Sequence, residues 1–219
     1  MAQLPRVVLF DLDGTLSDSA PGILGCLRVA FADHDLAPLD PQTERALLGP
    51  PFYDTLPPLI GEAMVAPVIA SYRERYGPGG GMYLTEAFDG AGQLVTALHE
   101  AGVILGLATS KPEVNAEPIM QKLGLAAYFT AICGDTLDGA RRTKALVVGE
   151  ALRRLGDPVP ADVLMVGDRR HDVEGAAEYG VGCLGAGWGY GVPGELLAAG
   201  ARAVYATPAD LQAALLEAG

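Results

Sequence analysis

Short apolar runs and helical patterns take turns along most of this chain, and that alternation constrains the fold more than any other feature. Strand-like runs fall at Val7–Phe10, Val103–Ala108, Thr130–Cys133, Val163–Val166, Val181–Leu184 and Ala203–Tyr205. Helical patterns fall between most of them, at Gly92–Ala101, Glu113–Leu123, Thr143–Leu155, Asp172–Tyr179 and Pro208–Ala218. Strand, helix and strand in repeated succession build parallel pairs joined by crossover helices. Strands of that kind are covered on both faces and read as unbroken apolar runs, as VVLF at Val7–Phe10 does. The expected class is α/β, a mostly parallel sheet flanked by helices.

The stretch from about Ser17 to Ala87 breaks this rhythm, with no convincing strand and several helices. Pro21 suits a first helical position after Ser19, and Ile23, Leu24, Leu27 and Phe31 follow at helical spacing. Asp40-Pro41 gives a second start of the same kind, and Glu62–Tyr76 a third helix, closed by the Gly77-Pro-Gly-Gly-Gly81 loop. The expected organisation is a core of residues 1–16 and 88–219, with residues 17–87 inserted as an α-helical domain after the first strand.

With 219 residues the chain can bury a substantial core. No apolar run reaches the roughly 18–20 residues that span a bilayer, and nothing ahead of Val7 has the pattern of a signal peptide. Cys26, Cys133 and Cys183 are far apart and odd in number, which suits neither a disulfide framework nor a zinc site. They are expected to be reduced core residues in a cytoplasmic protein. A formal net charge of −12 repels nucleic acid and anionic membranes, so neither is expected as a partner. Phosphate remains possible where positive charge is concentrated. The chain has three lysines, Lys111, Lys122 and Lys144, beside twelve arginines. Either these are remnants of a biased composition, or a compact point charge is needed where they stand.

The chemistry concentrates at strand ends. In VVLFDLDGTLSDS, residues 7–19, the first strand runs directly into Asp11 and Asp13, and Gly14 turns the chain. Open α/β sheets bind ligands at this end of their strands. Two carboxylates about 4 Å apart repel by roughly 4 kcal/mol at an effective dielectric near 20, so a cation or a proton has to offset them. In VLMVGDRRHDVEGA, residues 163–176, another strand ends in Gly167 and Asp168, with Asp172 four residues later, where it is also placed to cap the next helix. If these two strands lie side by side, the carboxylates converge into a site for a hard, oxygen-bound cation such as Mg²⁺. Thr109-Ser110-Lys111 stands just before the helix that Pro112 opens, where hydroxyls and free N–H groups suit phosphate, although Thr and Ser cap many helices. Lys144 begins a further helix, where the plainer expectation is a solvated side chain.

Taken together and in this order, the four segments resemble the motifs of the haloacid dehalogenase-like hydrolase superfamily. Asp11-Leu-Asp-Gly-Thr15 matches the first motif, Thr109 the second, Lys144 the third, and Gly167-Asp168 through Asp172 the fourth. The resemblance covers essentially the whole chain, and it implies a Rossmann-like core with the insertion as a small helical cap. It also implies roles. Asp11 is the nucleophile that takes the phosphoryl group, and Asp13 the acid and then the base. Asp11, the main-chain carbonyl of Asp13, and Asp168 hold Mg²⁺, while Asp172 orients metal-bound water or Lys144, or joins the ligands. Gly14, Thr109, Ser110 and Lys144 bind the transferring phosphate.

An acid two residues after the nucleophile points to phosphatases and, less well, sugar phosphomutases. Dehalogenases lack it and the ion-pumping branch has Thr. The segment ALLGPPFYDTL, Ala46–Leu56, resembles the cap loop of phosphoglycolate phosphatase-like and 5′-nucleotidase-like members, as do ATSKPE and GWGYG at Gly187–Gly191. Gly49-Pro50-Pro51 is stiff enough to reach over a site, with Phe52 and Tyr53 as stacking surfaces and Pro51 and Phe52 as substrate contacts; the alternative is a helix stop followed by two core aromatics. Lys111 either touches substrate or covers a helix end, and Lys122 is expected on solvated surface. Gly187–Gly191 lacks the G-x-G-x-x-G spacing of a dinucleotide loop and follows the fifth strand.

The expected function is a Mg²⁺-dependent phosphomonoester hydrolase that works through an aspartyl-phosphate on a small phosphorylated metabolite, with 2-phosphoglycolate first. The alternatives are a nucleoside 5′-monophosphate, a phosphotyrosine protein or a sugar phosphomutase reaction. Outside enzymes, a phosphorylatable aspartate with a lysine and a threonine also describes a signalling receiver or binding module, but such a receiver is shorter and has no cap.

Overall fold

The computed structural model describes residues 4–217. The chain begins with β1 (Val7–Phe10) and β2 (Ser17–Asp18), then passes through α1 (Ala20–Asp33), α2 (Pro41–Ala46), α3 (Phe52–Thr55), α4 (Pro57–Ile60) and α5 (Glu62–Tyr76). It returns through β3 (Glu86–Ala87) to α6 (Ala91–Glu100), β4 (Ile104–Pro112), α7 (Glu113–Lys122), β5 (Phe129–Asp135) and α8 (Lys144–Arg154). The last elements are β6 (Val163–Gly167), α9 (Arg170–Ala177), β7 (Gly182–Ala186), α10 (Glu195–Ala199), β8 (Ala203–Tyr205) and α11 (Pro208–Leu216). Two compact units result, one of residues 1–18 and 87–219 and one of residues 19–86.

The first unit is built on a six-stranded sheet in the order β5-β4-β1-β6-β7-β8, and each neighbouring pair is parallel. Without the two short strands this is the doubly wound order 3-2-1-4-5-6, and the chain changes direction across the sheet at β1 and β6. The fold is therefore α/β, as the alternation of elements requires. All four residues of β1 are at most 2% exposed, which explains why the strand shows no polar alternation. Val7 and Leu9 join Val163, Met165 and Cys183 in a core with Val147, Val148 and Ala151 of α8 and Val173 and Ala176 of α9. The helices α6 and α11 pack on each other, and α6 also packs on β4. Cys26, Cys133 and Cys183 are buried free thiols, and burial pushes Cys133 up to about 11.

The second unit is helical. Its core gathers Leu27, Ala30 and Phe31 of α1, Leu47, Leu56, and Val65, Val68 and Ile69 of α5. Asp40 caps α2 by accepting from the N–H groups of Gln42 and Thr43. Pro21 follows Ala20 as the second residue of α1, one place later than the sequence suggests.

Several elements differ from their sequence expectations. The interval from Ser17 to Ala87 does contain strand: β2 and β3 pair as a two-residue ribbon through which the chain leaves and re-enters the sheet unit. Two residues are too few to show any period. The same applies to α3 and α4, four residues each, and to α10, five residues held between Gly194 and Gly200, both with positive φ. The expected continuation of α11 to Ala218 lies outside the described residues. Among the described residues no helix is long and apolar enough to cross a membrane.

Candidate active site

Phe10 at the end of β1 stands beside Leu107 of β4 and Val166 of β6. Asp11, Thr109 and Asp168 therefore leave the sheet along one edge, at the carboxyl ends of adjacent strands. The Asp11 N–H donates to the Val166 carbonyl at 2.9 Å, which carries the pairing of β1 and β6 into the loop. A tight turn follows: the N–H groups of Leu16 and Ser17 donate to the Leu12 carbonyl, and Gly14 takes φ 84°. Left-handed backbone of this kind favours glycine.

The second acidic segment meets this turn. Asp168 is fully buried, accepts from the Tyr190 N–H at 2.7 Å and from the Thr15 hydroxyl at 3.3 Å, and is enclosed by glycine backbone. A Cβ on Gly14 or Gly189 would overlap the Asp168 side chain, and one on Gly191 its carbonyl oxygen. Trp188 on the same loop donates its indole N–H to the Thr15 carbonyl at 2.9 Å. Asp172 lies one turn inside α9 instead of ahead of it, and its Oδ2 accepts from the Arg169 N–H at 3.0 Å. The helix-cap expectation is thus corrected in position but kept in kind, because the carboxylate reaches back to the helix start.

Lys144 connects the two acidic segments. Its ammonium lies 2.9 Å from Asp11 Oδ1 and 2.7 Å from Asp172 Oδ1, and donates to the Ala108 carbonyl at 3.0 Å. The side chain is 5% exposed, so the expectation of a solvated lysine is overturned. A helix start disfavours a cation by only about 0.3–1 kcal/mol, and two buried carboxylates outweigh that. Burial by itself would lower the Lys144 pKa; the charges of Asp11 and Asp172 more than reverse this and hold it above its ordinary value.

One carboxylate oxygen each of Asp11, Asp168 and Asp172 falls within 4.8 Å of the others. Lys144 is the cation in ion-pair contact with this group among the described residues, so three buried carboxylates share one positive charge. Burial first, then Asp172 and Asp11, pushes the Asp168 carboxyl well above its usual range. Burial also raises Asp172, against the pull of Lys144. Asp11 Oδ1 and Asp172 Oδ1 are buried, and both face the Lys144 ammonium. An all-oxygen cluster of three buried carboxylates around one ammonium fits a hard divalent cation. Asp13 differs: its carboxylate lies outside the cluster and pairs with Lys111, Nζ to Oδ2 2.9 Å.

Thr109 is buried at the end of β4, and its hydroxyl accepts from the Lys111 N–H at 3.3 Å. Ser110 is half-buried beside it. The strand does not stop before these residues but continues through them to Pro112 with a break in register. Lys122 is exposed at the end of α7. Pro51 and Phe52 belong to the helical unit, where Pro51 precedes α3 and the Phe52 ring packs edge-on to Tyr72, centroids 4.9 Å apart. They are not among the residues that the sheet unit brings together, and Tyr53 is exposed. Sequence reasoning gave no role to Thr15, Tyr190 or Trp188, although the segments that contain them carried the resemblance.

A doubly wound α/β unit with acidic residues gathered at its switch point, and a helical insertion after its first strands, defines a class of protein. The family is the haloacid dehalogenase-like hydrolases, to which this chain belongs: the family model matches residues 8–186. The tyrosine-protein kinase PtkA of Mycobacterium tuberculosis is 43% identical over 190 residues, 85% of this chain and 64% of PtkA. The chain thus matches less than two thirds of that relative's length. A 5′-nucleotidase of Pseudomonas aeruginosa is 38% identical, over 87% of this chain and 86% of its own length. A phosphoglycolate phosphatase of Xylella fastidiosa is 32% identical, over 85% and 82%. Among solved structures, a protein described as a predicted phosphatase from Clostridium acetobutylicum superposes with TM-score 0.90 at 34% identity, covering 98% of this chain and all of that one.

Proposed function

We propose that this protein hydrolyses the phosphomonoester of a small metabolite through an aspartyl-phosphate on Asp11, with Mg²⁺ as cofactor. One observation carries the proposal: the buried Asp11 carboxylate stands at the carboxyl end of the central strand, 2.9 Å from Lys144 and inside a cluster with Asp168 and Asp172. Asp11, Asp168 and Asp172, with the Asp13 carbonyl, are the groups we assign to the metal, which when bound supplies positive charge to the transferring phosphoryl oxygens. Thr109, Ser110 and the backbone around Gly14 receive those oxygens. Lys144 offsets the charge of Asp11, which would otherwise repel an anionic substrate.

Asp11 attacks phosphorus as the bond to the leaving oxygen breaks, and Asp13 gives that oxygen a proton. Asp13 then takes a proton from water, whose oxygen attacks phosphorus and releases Asp11. Each aspartate is restored, and phosphate and an alcohol leave. Substrate choice we assign to the helical insertion, with Pro51 and Phe52 as candidate contacts. We place the protein in the cytoplasm, a reading that its three buried free thiols support.

2-Phosphoglycolate is the first substrate choice. Nucleoside 5′-monophosphates are a second, favoured by the 38% identity to a 5′-nucleotidase. Phosphate release from both, and from sugar phosphates and phosphotyrosine, should be measured with Mg²⁺, with a chelator and with Asp11→Asn. Mg²⁺-dependent release that Asp11→Asn abolishes supports the reading, and the kcat/KM ranking names the substrate class. A parallel arm with ATP and a tyrosine peptide tests the activity in the name of PtkA. Absence of release above Asp11→Asn on every substrate would reject the hydrolase reading.

A further inference from the structure

Two of the chain's three lysines are buried against the first acidic pair, and they divide it between them. Lys144 takes Asp11, and Lys111 takes Asp13. The Lys111 and Asp13 side chains are 4% and 14% exposed, with Nζ 2.9 Å from Oδ2. The other oxygen, Asp13 Oδ1, is buried and has no hydrogen-bond partner. The carboxylate is therefore held by one oxygen while the second is without a partner.

The backbone is shaped to bring Lys111 there. Ala108 pairs with Cys133 and Pro112 with Asp135, so Thr109, Ser110 and Lys111 occupy the interval that Gly134 alone occupies on β5. The extra residues form a bulge, a device that redirects side chains at the end of a strand. Gly134 lets the bulge close, because a Cβ there would overlap the Lys111 carbonyl oxygen. Glu113 secures the other side by accepting from the Gly134 N–H at 3.2 Å.

We propose that Lys111 is a positioning residue: by anchoring Asp13 Oδ2 it presents Oδ1 as the oxygen that exchanges the proton with the leaving group. The inference rests on the proton-handling role of Asp13 under the proposed function. A flexible aspartate has several rotamers, and an anchor on Oδ2 fixes where Oδ1 stands. Proton transfer by a positioned acid contributes about 10²–10⁴-fold, and part of that depends on the acid being held in place.

The test uses leaving groups that differ in their need for a proton. An alkyl phosphate releases an alkoxide and needs the acid, whereas p-nitrophenyl phosphate releases a stable phenolate and hardly needs it. Steady-state kcat/KM, which reports formation of the phospho-aspartate, is measured for both with wild type, Lys111→Met and Lys111→Arg. Lys111→Met is expected to lose about 10–100-fold on the alkyl phosphate and less than about 3-fold on p-nitrophenyl phosphate. Lys111→Arg moves the cationic head and should show the same split to a smaller degree, which keeps the test available should the Met variant fold poorly. Adding Asp13→Asn to Lys111→Met should cost less than it does in wild type, because the two residues act as one unit. Equal losses on both substrates would overturn the positioning role. So would a KM increase confined to the alkyl phosphate with kcat unchanged, which would make Lys111 a substrate contact. Wild-type inactivity on every alkyl phosphate of the panel and on p-nitrophenyl phosphate would instead reject the phosphatase reading, and this inference with it.

Discussion

Gly14 lies against Asp168 so closely that any side chain at residue 14 would occupy the space of the carboxylate. The turn after β1 and the loop after β6 thus pack together without displacing Asp168 when residue 14 is glycine. Its φ of 84° adds a second reason. Gly14→Ala should lower stability by about 1–3 kcal/mol from left-handed backbone and overlap together. Because Asp168 has to move, Mg²⁺-dependent turnover should fall by at least about 10-fold. Thermal denaturation and kcat with and without Mg²⁺ check both parts, and unchanged values would show that the turn relaxes freely.

The surplus charge of the acidic cluster predicts how metal and stability are linked. Mg²⁺ should raise Tm, by an amount equivalent to about 2.7 kcal/mol at 100 times Kd. Asp168→Asn should abolish that rise, yet without metal it should be no less stable than wild type, since burying a charged carboxylate costs free energy. Trp188 is the one tryptophan of the chain and reaches the cluster through Thr15. Its fluorescence should respond to Mg²⁺ in wild type and not in Asp168→Asn. A metal response preserved in that variant would place the ion elsewhere.

Lys144 is ion-paired to two buried carboxylates, so its removal leaves both without their cation. Lys144→Met should cost about 3–5 kcal/mol, the range for breaking a buried pair on one side. Mg²⁺ should restore part of the lost stability by replacing some of the missing charge, while activity stays at least about 10²-fold down for want of the phosphate clamp. Denaturant unfolding with and without Mg²⁺ measures the first, and kcat the second. A variant as stable as wild type would mean that the carboxylates take up protons without cost.

The sheet was legible because its buried parallel strands write themselves as apolar runs, as Val7–Phe10 does, and the partly exposed edge strand Ala203–Tyr205 also keeps its expected limits. The acidic strand ends were legible because β1 and β6 are neighbours, and the sequence marks both with Asp immediately beyond an apolar run. The burial of Lys144 was not, since a helix-start lysine has the same local sequence whether it meets water or Asp11. Nor was the Lys111–Asp13 pair, whose residues are brought together by a bulge that depends on Gly134 in another strand. The scarcity of lysine was the available signal. Short pieces such as α10 escaped because five residues do not display a helical period.

Away from the acidic cluster, Glu150 on α8 predicts how the protein responds to acid. Hydrogen bonds from Arg153 and then Arg154 pull its carboxyl down to about 2. Arg154 also donates to Glu113, which is held below its ordinary value against the cost of burial. An acid whose folded pKa is depressed stabilises the fold above its unfolded pKa, near 4.3, and loses that contribution as pH falls through the folded value. The contribution of Glu150 should therefore be complete at pH 7 and fade between about pH 5 and pH 2. Asp168, whose carboxyl is raised, has the opposite slope, so the comparison is best made in an Asp168→Asn background. There, the Tm difference between Glu150 and Glu150→Gln should be greatest near neutral pH, shrink toward pH 2, and decrease with added salt because the pairs are partly exposed. A difference that stayed constant with pH would mean that Glu150 supports α8 by something other than its charge.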